Sequence, residues 1–257
     1  LVIAENKEAL QAAVGFITFD HEPLPGVFDV EEALKKGAPL VHEDSPEGNL
    51  LRLVSVETGK GASAFDECDV IVEGVFQTPF QEHAYLETEA GWAYLDDSGQ
   101  LVVVTTTQTP FRDRNEMAPA LGIDVEKIRV IVPYLGGAFG GKDGITIQCL
   151  LGLSALHTGG VPVKMWWGRE ESFLASVKRL SARMHYRLGV KRDGTFHALE
   201  CRVYFDTGAY AGLGETVMTL GLEHAGSAYR IPNVSIKGSC VYTNNAVGGP
   251  FRGFGVT

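Results

Sequence analysis

Several things are scarce in this sequence, and each scarcity excludes a class of protein. There are four cysteines in 257 residues, Cys68, Cys149, Cys201 and Cys240, and no two stand at a CxxC spacing. A zinc ribbon or an iron–sulfur cluster held by this chain alone is therefore unsupported, and so is a disulfide-dense secreted scaffold. Free thiols in a reducing compartment fit better, with the cytoplasm as the expected location. No apolar run approaches the ~18 residues of a membrane span, and the N-terminal Leu-Val-Ile-Ala-Glu-Asn-Lys-Glu lacks a signal-peptide layout. Basic residues are also in deficit: 22 Lys and Arg stand against 32 Asp and Glu, a net charge of −10. That balance argues against a nucleic-acid surface or a binder of anionic membranes. What is present, 45% apolar and 21% charged residues, is ordinary globular composition with enough for a sizeable core.

The elements alternate in type. Residues Asn6 to Ala13 read as a helix, Val14 to Phe19 as a strand, and Asp29 as the cap of a helix from Val30 to Lys36. Strands are expected at Leu51 to Glu57 and Val70 to Phe76, with a short helix at Ser63 to Cys68 between them. A boundary at Thr78-Pro79 follows, because proline closes the strand and the pattern then changes. Gly91 to Leu95 and Leu101 to Thr107 form a hairpin across Asp96-Asp97-Ser98-Gly99. Pro110 to Leu121 is a helix ending at Gly122, Ile128 to Val132 a strand, and Asp143 to Thr158 a helix apolar on nearly every face, hence buried. Ala182 to Lys191 and Thr195 to Phe205 make a second hairpin, Thr216 to Ala228 a helix, and Val234 to Thr243 a strand. The fold class is α+β.

The most informative segment runs from Ile128 to Asp143, where a strand enters Gly136-Gly137-Ala138-Phe139-Gly140-Gly141-Lys142. Glycines let the main chain approach a ligand closely, and the amides of such a turn favour an anionic or electron-rich group. Gly136-x-x-x-x-Gly141-Lys142 also fits a nucleotide-binding P-loop up to its last position, where Asp143 replaces the magnesium-binding Ser or Thr. A plain tight connection is the third reading. A second loop, Asn244 to Gly255, sets Arg252 between Phe251 and Phe254 among glycines, which presents a donor fork from a close-approach backbone.

These two loops, with the strand end Thr105-Thr106-Thr107-Gln108, resemble the molybdenum hydroxylases, the family of xanthine dehydrogenase and aldehyde oxidoreductase. Gln81-Glu82-His83-Ala84-Tyr85-Leu86-Glu87, Asp206-Thr207-Gly208-Ala209-Tyr210 and Tyr229-Arg230-Ile231-Pro232-Asn233 match as well, so the likeness covers nearly the whole chain. It implies the end of an α/β hammerhead-like domain over 1–78, followed by the first part of a molybdopterin-binding domain over 79–257. In that family a molybdenum held by a pterin dithiolene inserts water-derived oxygen at an electron-poor carbon. The resemblance implies that Gln108 hydrogen-bonds an oxygen ligand of molybdenum, and that Gly137, Phe139 and Gly140 bring the backbone to the cofactor. It places Arg252 near the same oxygens. Gln108, Phe139 and Arg252 would thus surround the metal without ligating it, and Gln108 and Arg252 would be catalytic. Asp143 and Phe254 would face the substrate. The resemblance further implies molybdenum–molybdopterin as the cofactor, with the cytosine dinucleotide form as one option, 2Fe–2S and FAD on partner subunits or domains, and a small molecule as substrate.

Departures narrow the substrate. Purine-oxidising members carry Glu at the Asp143 position and a substrate-facing arginine before Tyr229. Here no Lys or Arg lies between Gly208 and Arg230, and Leu220 falls near the expected place. Purine is demoted in favour of an aldehyde or another N-heterocycle. The copper-binding cysteine of carbon monoxide dehydrogenases has no counterpart in Val247 to Gly253. The family's general base, a glutamate in Gly-x-Gly-Glu, belongs beyond the final loop, whereas Glu215 precedes it. The expectation is an enzyme fragment inactive by itself, completed by the C-terminal remainder of its subunit. A non-catalytic scaffold fragment or a P-loop-like domain is the alternative. His83 and Glu87 could share a helical face as metal ligands, but without a third ligand packing is the simpler role. Trp166-Trp167 reads as a buried strand end and a helix start, and His224, which could line the pocket, as a satisfied core histidine.

Overall fold

The computed structural model describes residues 1–256; Thr257, the last residue of the second expected domain, lies outside them. In chain order the elements are α1 (Lys7–Gly15), α2 (Val30–Ala33), β1 (Leu50–Thr58), β2 (Val70–Thr78), β3 (Ala90–Leu95), β4 (Leu101–Thr105), α3 (Pro110–Leu121), β5 (Ile128–Ile131), α4 (Gln148–His157), β6 (Val163–Trp166), α5 (Arg169–Ala175), β7 (Lys178–Arg179), β8 (Ser181–Val190), β9 (Phe196–Gly208), α6 (Gly214–Glu223), β10 (Asn233–Tyr242) and β11 (Gly248–Gly249). Helix and strand are mixed in an α+β architecture, as expected. Among the described residues no helix is long and apolar enough to cross a membrane.

The chain forms two compact units from interleaved segments. One comprises Leu1–Pro25, Leu86–Ala138 and Gly144–Ser172; the other comprises Gly26–Tyr85, Phe139–Asp143 and Phe173–Thr257.

The first unit is built on a four-stranded sheet of order β5-β4-β3-β6. The β3–β4 hairpin turns at Asp96, whose carboxylate accepts from the Ser98 and Gln100 amides at 2.9 and 3.0 Å. Strand β4 has neighbours on both sides and is buried at every position. Its Val-rich run is what a strand covered on both faces requires. Helix α3 begins with proline in its first turn and stops where Gly122 turns left-handed at φ +68°, an arrangement legible in the sequence. Met117 of α3 and Leu151 and Ala155 of α4 close the core over Ala93, Leu101, Val103 and Ile128. Each such buried Leu, Ile, Val or Met side chain contributes roughly 1.5–3 kcal/mol.

The second unit carries a five-stranded sheet of order β1-β10-β9-β8-β2. The β8–β9 hairpin is antiparallel, whereas β10 runs parallel to β9 and antiparallel to β1. Helix α6 covers one face, burying Val217, Met218 and Leu222 against Ala182, Cys201, Val203, Phe205 and Cys240. The short pair β7–β11 matches Gly248 with Lys178 and Gly249 with Arg179, anchoring the start of the final loop.

Several sequence expectations are corrected. Val14 to Phe19 is not a strand: α1 continues to Gly15, and Phe16 and Phe19 lie exposed without a pairing partner. Helix α2 stops at Ala33. Helix α4 starts at Gln148, because Gly144 turns at φ +115° and the Gln148 carboxamide oxygen accepts the Thr146 amide at 2.6 Å. It is not buried on every face, since Leu150 and Leu153 point outward. Helix α6 spans Gly214–Glu223, short of Ala228. Trp166 is half exposed rather than a buried strand end, and His224 is exposed rather than in the core. The His83–Glu87 stretch forms no helix, so the two side chains share no helical face.

Candidate functional site

In the first unit, β4 and the two residues after it are buried through Thr107, and Gln108 is the first exposed residue. The turn beyond it is tied back on itself. The Thr109 amide donates to Thr107 Oγ1 at 3.1 Å, and the Asp113 amide to the Thr109 carbonyl at 2.9 Å. Asp113 is wholly buried and accepts from Gln148 Nε2 at 2.9 Å and Thr109 Oγ1 at 3.3 Å. Burial raises its pKa, and hydrogen bonds from Thr107, Gln148 and Thr109 oppose that rise. Asp113 and Gln148 thus hold the turn that presents Gln108. Sequence reasoning missed both, although an acidic residue in the first helical turn after a threonine was a visible signal.

In the second unit, the tip of the glycine loop meets the final loop. The Arg252 amide donates to the Phe139 carbonyl at 2.8 Å. Gly140 turns at φ +101° with its α-carbon so near Pro250 that an added Cβ would lie 2.6 Å from the Pro250 carbonyl oxygen. Only four non-glycine residues of the described chain have positive φ, namely Ala84, Phe139, Ser227 and Phe254. One belongs to each of the two loops and a third to the 81–87 segment, and such strain concentrates at functional sites. Phe139 and the Arg252 side chain are exposed. Phe254 is half buried against the sheet core, Asp143 is half buried, and a cavity of about 210 Å³ opens beside Phe251 and Gly255.

His83 occupies the space between these loops. Its ring stacks on Phe251 at 4.7 Å and 25°. Its Nε2 lies 2.6 Å from the Pro250 carbonyl oxygen; since that oxygen can only accept, Nε2 carries the hydrogen. Burial lowers the imidazole pKa, opposed by the Pro250 contact and the Glu82 carboxylate, with Lys178 adding to the lowering. His83 is 6% exposed and Tyr85 wholly buried, in keeping with a packing role. Lys142 is also wholly buried, its ammonium 4.7 Å from the Tyr85 ring. A phosphate-cradling lysine must reach its ligand, so the P-loop reading fails on this placement. It also lacks the helix that should follow directly.

Gln108 is exposed in the first unit and Arg252 in the second, and neither a carboxamide nor a guanidinium is an ordinary metal-holding group. Among the described residues no group of three His, Cys, Asp or Glu could hold a metal ion. Thr106 Oγ1, buried two residues before Gln108, has no hydrogen-bond partner. Donors of these types, in each unit taken by itself, suit a metal that brings its own chelate and offers oxygen atoms to the protein.

A family model described as a molybdopterin cofactor-binding domain matches residues 41–257, and the chain belongs to that family. Among curated relatives, it is 40% identical over 256 residues to the nicotinate dehydrogenase large molybdopterin subunit of Eubacterium barkeri, covering 100% of this chain and 59% of that protein. It is 30% identical over 255 residues to the xanthine dehydrogenase molybdenum-binding subunit of Escherichia coli, covering 99% of this chain and 34% of that protein. Among solved structures, the aldehyde oxidoreductase of Desulfovibrio gigas superposes with a TM-score of 0.93 at 28% identity, over 98% of this chain and 28% of that one. The chain therefore spans less than two thirds of the relatives it matches.

Proposed function

We propose that this chain supplies part of the molybdenum-cofactor site of an oxidoreductase that hydroxylates an electron-poor carbon, with the inserted oxygen coming from water. When bound, the molybdenum–pterin group supplies the oxygen-transfer and redox chemistry. Gln108 donates its side-chain amide to an oxygen of that group. Arg252 places a fixed positive charge where negative charge develops in the transition state. Gly137, Phe139 and Gly140 bring main chain rather than side chain to the cofactor, and Asp143 and Phe254 lie on the substrate side. The observation that carries the reading is the 2.8 Å bond from the Arg252 amide to the Phe139 carbonyl, which ties together two motifs that sequence places 113 residues apart.

The substrate class is an N-heterocycle or an aldehyde. The name of the 40%-identical relative supports the heterocycle, while the lack of Lys or Arg between Gly208 and Arg230 disfavours a purine anion. The reading includes the cytosine dinucleotide form of the pterin, partners carrying 2Fe–2S and FAD, the C-terminal remainder of the subunit as the source of the general base, and a cytoplasmic location. It keeps 1–78 as hammerhead-like and 79–257 as molybdopterin-binding. The assembled enzyme, given heavy-oxygen water and a panel of N-heterocycles and aldehydes, is expected to place the label in the product. Gln108→Ala and Arg252→Ala should each lower kcat by roughly a hundredfold, as loss of one oxyanion donor does elsewhere. Label arriving from dioxygen, or undiminished turnover in both variants, overturns the proposal.

A further inference from the structure

We propose that His83 is a positioning residue: a buried wedge that sets the distance between the Phe139–Gly140 turn and the backbone of Arg252. The inference deepens the function proposed above and rests on it for its catalytic consequence. Three contacts, all within the second unit, carry it. The ring lies flat on Phe251, the residue before Arg252, at 4.7 Å and 25°. Its Nε2–H donates to the Pro250 carbonyl at 2.6 Å. On its other side it abuts Gly141, where an added Cβ would stand 2.8 Å from His83 Cγ and Nδ1. The same imidazole therefore touches both loops, one residue before Arg252 and one residue after Gly140.

The Pro250 carbonyl explains why the wedge must be polar. That oxygen sits 2.6 Å from the Cβ that alanine would place at position 140, so it is squeezed between the glycine turn and the imidazole. Without the Nε2–H it would be left unsatisfied in a buried place, and it would turn away to find water. Turning that peptide moves Arg252, whose amide must stay 2.8 Å from Phe139. The surrounding charges are already committed. Lys178 pairs with Glu82 at 2.8 Å and donates to the Ser176 carbonyl at 2.6 Å. Tyr85 lies beneath the Lys142 ammonium. The imidazole Nε2–H is the donor seen at the Pro250 carbonyl.

The test separates donor from ring. His83→Gln keeps an amide N–H at the reach of Nε2 and loses the stack; His83→Phe keeps the stack and loses the donor. Amide hydrogen exchange on the full chain reads the Arg252 amide directly, with the β8–β9 amides as the measure of global stability. In His83→Phe the Arg252 amide should exchange roughly tenfold faster, the size expected when one buried hydrogen bond is lost and its partner stranded. In His83→Gln it should remain within about threefold of the unsubstituted protein, and the sheet amides should not change in either. In the assembled enzyme kcat should fall in His83→Phe with KM little altered, and recover in His83→Gln. Unchanged exchange at Arg252 in His83→Phe, or acceleration shared equally by the sheet amides, overturns the proposal. So does faster exchange with no loss of kcat. If the unsubstituted enzyme turns over none of the substrates, the functional reading fails, while the exchange data still decide what His83 does.

Discussion

Replacing Gly140 by alanine measures how closely the glycine turn and the final loop must approach. Two costs add. The first is conformational: at φ +101° an L-residue is strained by roughly 1–2 kcal/mol. The second is contact. The new Cβ would lie 2.6 Å from the Pro250 oxygen and 2.9 Å from its carbonyl carbon, both backbone atoms with no rotamer to retreat into. Reaching an ordinary 3.4 Å separation needs 3.4 − 2.6 = 0.8 Å of movement. That movement pulls the Arg252 amide away from Phe139 and forfeits about 1 kcal/mol, with overpacking adding about 1–3 kcal/mol. Gly140→Ala should therefore cost about 3–6 kcal/mol. Gly194 supplies the control within the same unit: its φ is +88° and nothing lies within 4 Å of the added Cβ, so Gly194→Ala should cost only the first part, about 1–2 kcal/mol. Urea unfolding followed by far-ultraviolet circular dichroism gives both values. Equal costs to within about 0.5 kcal/mol would refute the close approach, since that is the usual scatter between independent sites.

Two further outcomes follow from the charges and thiols. Burial raises the Asp29 pKa, but the Glu32 amide, the Arg183 guanidinium and the Glu31 amide outweigh it and hold the carboxyl below its ordinary value. A folded pKa below the unfolded one gives stability that is present above the ordinary carboxylate range and lost as pH falls through the folded value. Arg183, bonded to Asp29 at 2.7 Å and Glu31 at 2.6 Å, is partly exposed, so Arg183→Ala should cost about 1 kcal/mol near neutrality and nothing in strong acid; a cost that grew in acid would contradict this sign. Burial pushes the Cys201 thiol up to about 11 and the Cys240 thiol up to about 12. A thiol reagent at pH 8, read by mass spectrometry of peptides, should label Cys68 before either of them, and both should react only once denaturant is added.

The sequence by itself determined whatever depends on neighbours along the chain. Helix α3 was bounded by Pro110 and Gly122 because a proline in the first turn and a left-handed glycine after the last are local devices. Both hairpins were legible because alternating strands flank a short turn, Asp96-Asp97-Ser98-Gly99 in one and Arg192-Asp193-Gly194 in the other. The family was legible for the same reason, since Thr107-Gln108, Gly136 to Lys142 and Phe251 to Gly255 are short contiguous strings. Tertiary structure alone decided the rest. Nothing near Asn233 says that β10 will run parallel to β9 with β1 on its far side. The apolar run after Asp143 promised a helix from its first residue, but Gly144 and the Gln148 carboxamide delayed it. His83 looked like a packed core histidine and is one; its importance lies in what it packs between. Hydrogen bonds such as Arg252 to Phe139 and His83 to Pro250 join residues more than a hundred positions apart. Periodicity and spacing carry no record of such partners, because the chain chooses them only when its sheets and loops close in space.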